Sequence, residues 1–430
     1  MNIILAIVIF SLIILFHELG HFLLAKINKI RVREFTLGLG PTIVGFTKGE
    51  TKYCLKLLPF GGSCVMDEDL EAEAADDRAF NNKNVWQRLS VVAAGPVFNF
   101  IMAFIFSLII ILIIGYDRPI VNYVEENSAA FDAGLEQGDI IKRVNGKKVR
   151  LSREVSFEQD INPSKTLELL VERVEDGEAV EKTIVVEPDM EEKYQIGIYI
   201  ESDSTSIYGF TEGSPAEASD LMSGDEIVAV NGVDVETDTD IVNAIEESDG
   251  NELLFSIVRD GEEQDISVTP EFTTIYSHGF YTDTNLSREK NGIFKAIEYS
   301  FYEVGYWIKT TIKSLKMLVT GQVGFDQMSG PVGIVSVIGE TYTESKQDGW
   351  LYVFLNMTNL AILLSANLGV MNLLPIPALD GGRIIFFLIE GITGKRLPQK
   401  VEGIIHMIGF ALLMLLMIFV VFNDISKIFS

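Results

Sequence analysis

The sequence predicts a polytopic α-helical membrane protein that carries a soluble insert of two similar α+β domains. Long apolar runs lie near both ends of the chain, at residues 3–25, 89–116, 351–374 and 404–422. Between them, residues 117–290 hold 14 Lys+Arg and 41 Asp+Glu, a difference equal to the net charge of −27 of the whole protein. An acidic block between apolar blocks is typical of a soluble insert, and it excludes a nucleic-acid-binding surface there.

The first apolar run, residues 3–25, is long enough to cross a bilayer as a helix of roughly 34 Å. It lacks the basic leader and the small-residue cleavage site of a signal peptide, so we expect an uncleaved membrane helix. The run contains HELGH at residues 17–21. Ionisable groups in a spanning helix are costly unless they face protein or a wet cavity, so these residues indicate an interior site.

The HELGH motif has the spacing of a metal site. Residues four apart on a helix share one face, so His17 and His21 can bind one ion while Glu18 holds a water molecule. This is the HExxH arrangement of zinc metalloproteases, which predicts one Zn²⁺ per chain and peptide hydrolysis. Glu18 would take the proton of the water and return it to the leaving amine. Two packed polar residues in a helical bundle are the alternative.

The third apolar run is interrupted at LPIPALDGG, where Pro375 and Pro377 cannot continue a regular helix. Irregular backbone at membrane depth is tolerated only where it is buried in protein or lines a cavity. We therefore predict four spanning helices, the third one broken at an interior site. Asn372 in the broken helix and Asn99 in the second span could bind substrate or a developing oxyanion. Interhelical hydrogen bonding is an equally good explanation for both.

A catalytic zinc ion needs a third protein ligand besides the two histidines. Asp380 lies 15 residues before the basic loop at Lys395, so it can reach the same membrane depth as His21. Its alternative role is to cap the helix that follows it. His406, early in the last span, and His278, in the acidic block, are the remaining histidines.

Three groups of basic residues flank the predicted spans, and with four spans all three groups fall on one side. They follow the first span (residues 26–33), precede the second (83–88) and lie between the third and fourth (395–400). The positive-inside rule makes this the cytoplasmic side of the cell membrane. Both termini and the acidic block are then extracytoplasmic, and the HELGH motif lies near the cytoplasmic face.

The acidic block contains an internal repeat, since residues 121–149 align with 208–235 and each copy has a Gly-Asp pair and an Asn-Gly turn. The repeat is too long for a solenoid and predicts two globular modules. Residues 293–320 form an amphipathic pattern that predicts a helix at the outer membrane surface, with a fifth span as the alternative. The predicted division of the chain is 1–116 (two spans and the segment between them), 117–199 and 200–274 (the modules), 275–348 (membrane-surface region) and 349–430 (two spans).

These motifs together resemble a known family. HELGH, a later LDGG and repeated modules of PDZ type are similar to the bacterial site-2 proteases, intramembrane zinc metalloproteases of the RseP type. The resemblance covers nearly the whole chain and includes further segments in the expected order: GLGP (38–41), LPFGGSCVM (58–66), RAFNNKNVWQRLSVVAAGPVFNF (78–100), MSGPVGI (328–334) and MNLLPIPALDGGR (371–383). Ser63, Cys64 and Arg383 depart from common family residues, but none of them replaces a ligand or the base.

The resemblance implies that Asp380 is the third zinc ligand and that residues 34–66 form a membrane-re-entrant β-hairpin on the cytoplasmic side. Gly61 and Gly62 would give the hairpin a flexible point, and its edge could bind an extended substrate through main-chain hydrogen bonds. The family performs regulated intramembrane proteolysis on single-pass membrane proteins, such as anti-sigma factors or signal-peptide remnants. These substrates are commonly cut first by a site-1 protease.

The two PDZ-like modules are compatible with two roles. They could bind the new C-terminal carboxylate of a pre-cut substrate, or they could exclude bulky ectodomains. Residues 201–250 contain no Lys or Arg, which disfavours attraction of anionic peptides and favours the exclusion filter. Two other functions compete with proteolysis as a whole, namely a non-enzymatic membrane scaffold and a zinc-dependent transporter.

Overall fold

The computed structural model describes residues 2–66, 77–200, 204–211, 213–259, 261–282, 288–324 and 328–429. Its helices are α1 (Asn2–Ile27), α2 (Val85–Ile114), α3 (Ala129–Asp132), α4 (Ser152–Ile161), α5 (Asp238–Glu247), α6 (Gly292–Val319), α7 (Pro331–Asp348), α8 (Trp350–Leu373), α9 (Asp380–Thr393) and α10 (Gln399–Phe429), with a 3₁₀ turn at Phe80–Asn82. Its strands are β1 (Val32–Lys48), β2 (Thr51–Met66), β3 (Tyr116–Asp117), β4 (Tyr123–Val124), β5 (Ile140–Val144), β6 (Lys147–Lys148), β7 (Leu167–Glu175), β8 (Glu178–Val186), β9 (Asp189–Gln195), β10 (Ile198–Ile200), β11 (Ile207–Phe210), β12 (Glu226–Val230), β13 (Val233–Asp234), β14 (Leu253–Arg259), β15 (Glu262–Val268), β16 (Glu271–Ser277), β17 (Phe280–Tyr281) and β18 (Arg288–Glu289).

The chain divides into two compact units. The first unit comprises Met1–Asp117 together with Arg288–Phe429, and the second comprises Arg118–Ser287. Within the described residues, four helices of the first unit are long and apolar enough to cross a membrane, which confirms the four predicted spans by length and composition. These candidate spans are Ile3–Ile27, Val85–Ile114, Trp350–Leu373 and Lys400–Ser426.

Strands β1 and β2 form an antiparallel sheet in which the start of β1 has a neighbour on each side. Phe35 of β1 pairs with both Tyr53 and Cys64 of β2, so residues 34–37 lie between two segments of β2. The last segment of β2, residues 62–66, is therefore an edge of this sheet. The rest of the sheet, residues 39–58, exposes large apolar side chains: Leu39, Ile43, Val44, Phe46, Leu55, Leu57 and Leu58.

Helix α6 packs one face against two of the candidate spans. Val304 belongs to a buried cluster with Ala103 of α2 and Ala366 of α8. Further along the helix, the Thr311 hydroxyl donates to Asn367 Oδ1 at 2.5 Å. The sequence predicts a helix at the membrane surface, and this remains a prediction; the structure shows that small and apolar residues on α2 and α8 cover much of one face of the helix.

Helix α7 begins at a carboxylate that α10 supplies. Asp424 is 4% exposed and accepts hydrogen bonds from the N–H groups of Gly330, Val332 and Gly333 at 2.8, 3.1 and 3.0 Å. A Cβ atom at Gly330 would lie 2.6 Å from Asp424 Oδ2, so a side chain there would displace the carboxylate. This cap satisfies N–H groups that a helix end leaves free, and it accounts for the MSGPVGI motif.

The second unit contains two hydrophobic cores, one for each copy of the repeat. The first core is built mainly from residues 121–186, but it also contains Phe280. Strand β17, which begins with Phe280, pairs with β4, so the chain returns to the first module after completing the second. The first module therefore extends beyond the predicted boundary at residue 199. The second core lies within residues 196–268.

Each module contains the same buried ion pair. Arg173 donates two hydrogen bonds to Asp139 at 2.7 and 2.6 Å, and Arg259 donates two to Asp225, both at 2.7 Å. These aspartates are the ones in the repeated Gly-Asp pairs, and each is 1% exposed. Removing one partner of a buried ion pair costs about 3–5 kcal/mol because the other charge is left without compensation. The Gly-Asp motif is therefore a structural element of both modules.

Candidate metal centre

Helix α1 places both histidines of HELGH on one side. The Nε2 atoms of His17 and His21 lie 3.2 Å apart, because residues four apart on a helix are neighbours on its surface. His21 is 9% exposed, and Glu18 lies in the same cavity as the two rings. Two imidazole nitrogens at this separation can bind one metal ion.

Asp380 is the first residue of α9, and it approaches the two histidines from the other end of the sequence. Its Oδ2 atom lies 3.2 Å from His17 Nε2 and 3.5 Å from His21 Nε2. The alternative role of Asp380 as a helix cap does not match the structure, in which Leu379 occupies the N-cap position of α9 and no side chain caps it. The turn between α8 and α9 thus places the Asp380 carboxylate next to the side of α1 that carries His17 and His21.

The three donor atoms fit a tetrahedral metal ion such as zinc. Two bonds of about 2.05 Å that meet at the tetrahedral angle separate their donor atoms by roughly 3.3 Å. The observed separations are 3.2, 3.2 and 3.5 Å. Oδ2 of Asp380 is also buried, and no N–H or O–H group in the described part of the chain donates a hydrogen bond to it. A buried carboxylate oxygen without a donor is what a metal ligand requires.

The second nitrogen of each histidine ring has its own partner. Nδ1 of His21 lies 2.9 Å from the carbonyl oxygen of Val91 on α2, and Nδ1 of His17 lies 3.3 Å from the Asn99 amide. Metal ligation through Nε2 requires the proton on Nδ1, so both partners must accept. Val91 meets this condition. The atom of Asn99 nearest the ring is Nδ2, so Asn99 meets it with the amide turned by 180°, which also gives the otherwise unpartnered Oδ1 a donor.

Asn99 therefore contacts the ring of a candidate metal ligand, His17. The sequence predicts it as a substrate or oxyanion contact, but the residue is 0% exposed and lies behind His17, outside the cavity lining. Its backbone carbonyl also accepts a hydrogen bond from the Ser365 hydroxyl at 2.8 Å, which joins α2 to α8. The apolar surroundings of Asn99 identify a buried polar residue but do not distinguish these two roles.

Two glycines allow α1 and α2 to approach closely at the motif. A Cβ atom at Gly20 would overlap the carbonyl of Ala94, and one at Gly95 would overlap His21 Nε2 and lie 2.7 Å from His17 Cε1. Gly95 was not predicted as a site residue. Its signal is the unusual AGP sequence inside an apolar span, where glycine and proline are otherwise unfavourable.

The candidate ligands face a cavity of about 290 Å³. Its lining includes the edge segment of β2, and the main-chain N–H of Cys64 faces the Glu18 carboxylate. Of the two predicted hairpin glycines, Gly62 lines this cavity, and a Cβ atom there would lie 2.9 Å from Glu18 Cγ. Gly61 has φ +82°, and a Cβ atom there would lie 3.2 Å from Leu39 Cγ instead. The full lining is His17, Glu18, His21, Gly62, Ser63, Cys64, Met66, Phe80, Val92, Asp380 and Arg383.

The other predicted candidates lie elsewhere. Among the described residues, the group of potential metal ligands is His17, His21 and Asp380. His278 binds the carbonyl oxygen of Lys165 in the second unit at 2.9 Å. Asn372 does not line the cavity.

Comparison with known proteins matches the chain over nearly its full length. The profile of peptidase family M50 matches residues 5–416. The zinc metalloprotease RasP of Geobacillus kaustophilus is 33% identical, with 98% of this chain and 97% of the relative covered. Protease RseP of Yersinia pestis is 30% identical over 98% of each chain. The regulator of sigma-W protease RasP of Bacillus subtilis is 28% identical, again over 98% of each chain.

Proposed function

Because the chain belongs to peptidase family M50 and is a zinc metalloprotease with four candidate membrane spans, we propose that it cleaves single-pass membrane proteins within the bilayer. One observation carries this proposal. Three donor atoms from α1 and α9 lie 3.2–3.5 Å apart in the lining of a cavity that Glu18 also lines. The proposal is thus supported both by the HELGH and LDGG motifs and by donor-atom distances that fit a zinc ion.

The residues of the cavity would divide the reaction among them. His17, His21 and Asp380 would hold the metal, which when bound supplies a Lewis acid that acidifies water and polarises a carbonyl group. Glu18 lies beside the ligands and would accept a proton from the attacking water. It would then pass that proton to the amine of the leaving peptide.

The edge segment of β2 would hold the substrate in an extended form. Helical peptide bonds are poorly exposed because their carbonyls already bind N–H groups four residues on. Residues 62–66 form a sheet edge along the cavity, and edges can add another strand through main-chain hydrogen bonds. The exposed apolar side chains of the same sheet support the proposal that it is re-entrant in the membrane.

The basic flanks of the spans support an orientation with the metal site near the cytoplasmic face. In this orientation the second unit and both termini lie outside the cytoplasm. A relative of this chain is named as the regulator of sigma-W protease. We therefore place anti-sigma factors, pre-cut by a site-1 protease, first among the substrates, with signal-peptide remnants as the other class.

Metal removal tests the proposed reaction. A single-pass reporter without an ectodomain should be cleaved by the detergent-solubilised protein. A zinc chelator should abolish cleavage, and added Zn²⁺ should restore it, because the Lewis acid is essential. Cleavage that persists after the protein has demonstrably lost its metal would contradict the proposal. If the reporter stayed intact and vesicles showed a metal-dependent ion flux, the protein would be a transporter. If neither cleavage nor ion flux were observed, the scaffold function would be favoured.

The two PDZ-like modules differ in the groove where a peptide could bind. In the second module, a groove of about 310 Å³ lies between β10 and α5, with Ile241 and Ile245 on the helix side and with Lys193, Asp238 and Glu246 also in its lining. At one end, the main-chain N–H groups of Ile196 and Gly197 donate to no acceptor in the described residues. An open strand edge, apolar side chains on the helix and free N–H groups suit an extended peptide that ends in an apolar residue and a free carboxylate.

The first module has an equivalent groove of about 750 Å³ between α4 and β17, but two of its main-chain groups are already bonded within the protein. Gln159 of α4 donates to the carbonyl oxygen of Phe280 on β17 at 3.3 Å. The N–H of Gly279 donates to the Ser277 hydroxyl at 3.1 Å. We propose that the second module binds the chain end of a pre-cut substrate and that the first does not, which favours the carboxylate role over the filter.

Exchanging one residue between the modules tests this difference. Ile245→Gln places in α5 the amide that the first module has at Gln159, and should weaken binding of a short fluorescent peptide ending in valine by about tenfold, roughly 1.4 kcal/mol. Gln159→Ile should leave the affinity unchanged or increase it. Fluorescence anisotropy of the full-length protein measures both, with an amidated peptide as the control. Equal affinity of the wild type for the amidated and free peptides would refute the carboxylate role.

A further inference from the structure

The turn that carries Asp380 to the histidines is nearly closed on itself. Pro375 and Pro377 have no N–H group to donate. The N–H groups of Leu374, Ile376 and Leu379 donate to carbonyls within the turn or at the end of α8, at 3.1, 2.7 and 3.2 Å. The main-chain donors of residues 374–379 are thus accounted for locally, with one exception.

The exception is the N–H group of Ala378, which donates to Nδ1 of His406 on α10 at 2.8 Å. Ala378 has φ +78°, a left-handed conformation that costs a residue other than glycine roughly 1–2 kcal/mol. Such a conformation persists only where its surroundings enforce it. The acceptor on α10 supplies this constraint two residues before Asp380.

Helix α10 approaches the turn at a second point. A Cβ atom at Gly409 would lie 2.5 Å from both Cβ and the carbonyl oxygen of Pro377. His406 and Gly409 are about one turn apart on the helix, so they contact the same segment. The lack of a side chain at Gly409 brings α10 close enough for the hydrogen bond from Ala378.

The turn is also tightly joined to the start of α9. A Cβ atom at Gly382 would lie 2.6 Å from the carbonyl oxygen of Ile376 and 3.0 Å from Cα of Pro377. Because nothing separates the turn from the first residues of α9, a shift of the turn must move Asp380 as well. The His406 ring is itself oriented by an edge contact with Phe386, whose ring centre is 5.6 Å away.

We propose that His406, through its hydrogen bond to Ala378 and with the close approach at Gly409, is a positioning residue for Asp380. His406 itself contacts neither His17 nor His21, and it does not line the cavity. Its function is to fix the turn so that the carboxylate meets the two histidines within reach of one metal ion. This inference rests on the proposed role of Asp380 as a ligand.

Zinc retention of the purified full-length protein tests the proposal without relying on cleavage. His406→Leu removes the acceptor at similar volume, whereas His406→Asn keeps an acceptor near the position of Nδ1. Gly409→Ala obstructs the approach of α10. Met407→Leu is the matched control, because this neighbouring side chain is 64% exposed. The bound zinc and its Kd are measured by competition with a chromogenic chelator, on samples that elute as folded protein.

We expect His406→Leu and Gly409→Ala to weaken zinc binding about 10–100-fold, the usual effect of losing a group that orients a ligand. His406→Asn should lie within about threefold of the wild type, and Met407→Leu should match it. Equal zinc affinity of His406→Leu and the wild type would overturn the proposal. So would equal losses in His406→Leu and His406→Asn, because the hydrogen bond would then be irrelevant. If the wild type itself bound no zinc, the proposed function would fail instead.

Discussion

Replacement of Glu18 by glutamine should abolish peptide cleavage while leaving zinc bound. Glu18 adjoins the three donor atoms but is not one of them, so the ion should remain in place. The amide of glutamine cannot accept a proton from water, and loss of a general base typically costs 10²–10⁴ in rate. We expect a fall of at least about 10³-fold in cleavage of a single-pass reporter, at unchanged zinc stoichiometry.

Glu344→Gln is a suitable control because it makes the same chemical change at an exposed position on α7. It should cleave the reporter at the wild-type rate. Cleavage by Glu18→Gln at that rate would eliminate Glu18 as the base. Loss of zinc together with activity would show instead that Glu18 contributes to metal binding.

Replacement of Gly95 by alanine should release zinc and abolish activity. The new methyl group would overlap Nε2 of His21 and lie 2.7 Å from Cε1 of His17, inside the contact distance of carbon atoms. Either the two rings or α2 must then move. Alanine is the better helix former by about 1 kcal/mol, so a loss of function cannot come from a weaker helix. We expect zinc affinity to fall by at least about 100-fold.

Gly403→Ala provides the matched control for this substitution. Gly403 also lies within a helix, α10, but no other atom lies within 4 Å of a Cβ built there. Its zinc content and cleavage rate should equal those of the wild type. If Gly95→Ala retained both zinc and activity, the close contact of α2 with the HELGH rings would be unimportant for the site.

Patterns that depend on neighbouring residues were predictable from the sequence. Four apolar runs of spanning length predict the four candidate spans, and the spacing of His17 and His21 predicts two nitrogens on one helix face. Membership of a zinc metalloprotease family, predicted from the motifs, is confirmed by the match over residues 5–416. These features are local, so hydropathy and helix geometry are sufficient to derive them.

Features that depend on contacts between distant segments were less accessible. Asp380 remained one of several ligand candidates until the family resemblance favoured it, because spacing within one helix gives no information about a segment hundreds of residues away. Asn99 was correctly identified as a buried polar residue, but its contact with His17 depends on how α2 packs against α1. For the same reason, the AGP sequence marks Gly95 without showing which rings it faces, and the return of Phe280 to the first module has no local signature.

The division of the metal ligands between α1 and α9 has a consequence for biosynthesis. With Asp380 as the third ligand, the two histidines emerge from the ribosome roughly 360 residues before the carboxylate. A nascent or truncated chain would hold an incomplete ligand set. The protease would therefore remain inactive during its own insertion into the membrane, and every premature product that ends before α9 would be harmless to neighbouring membrane proteins.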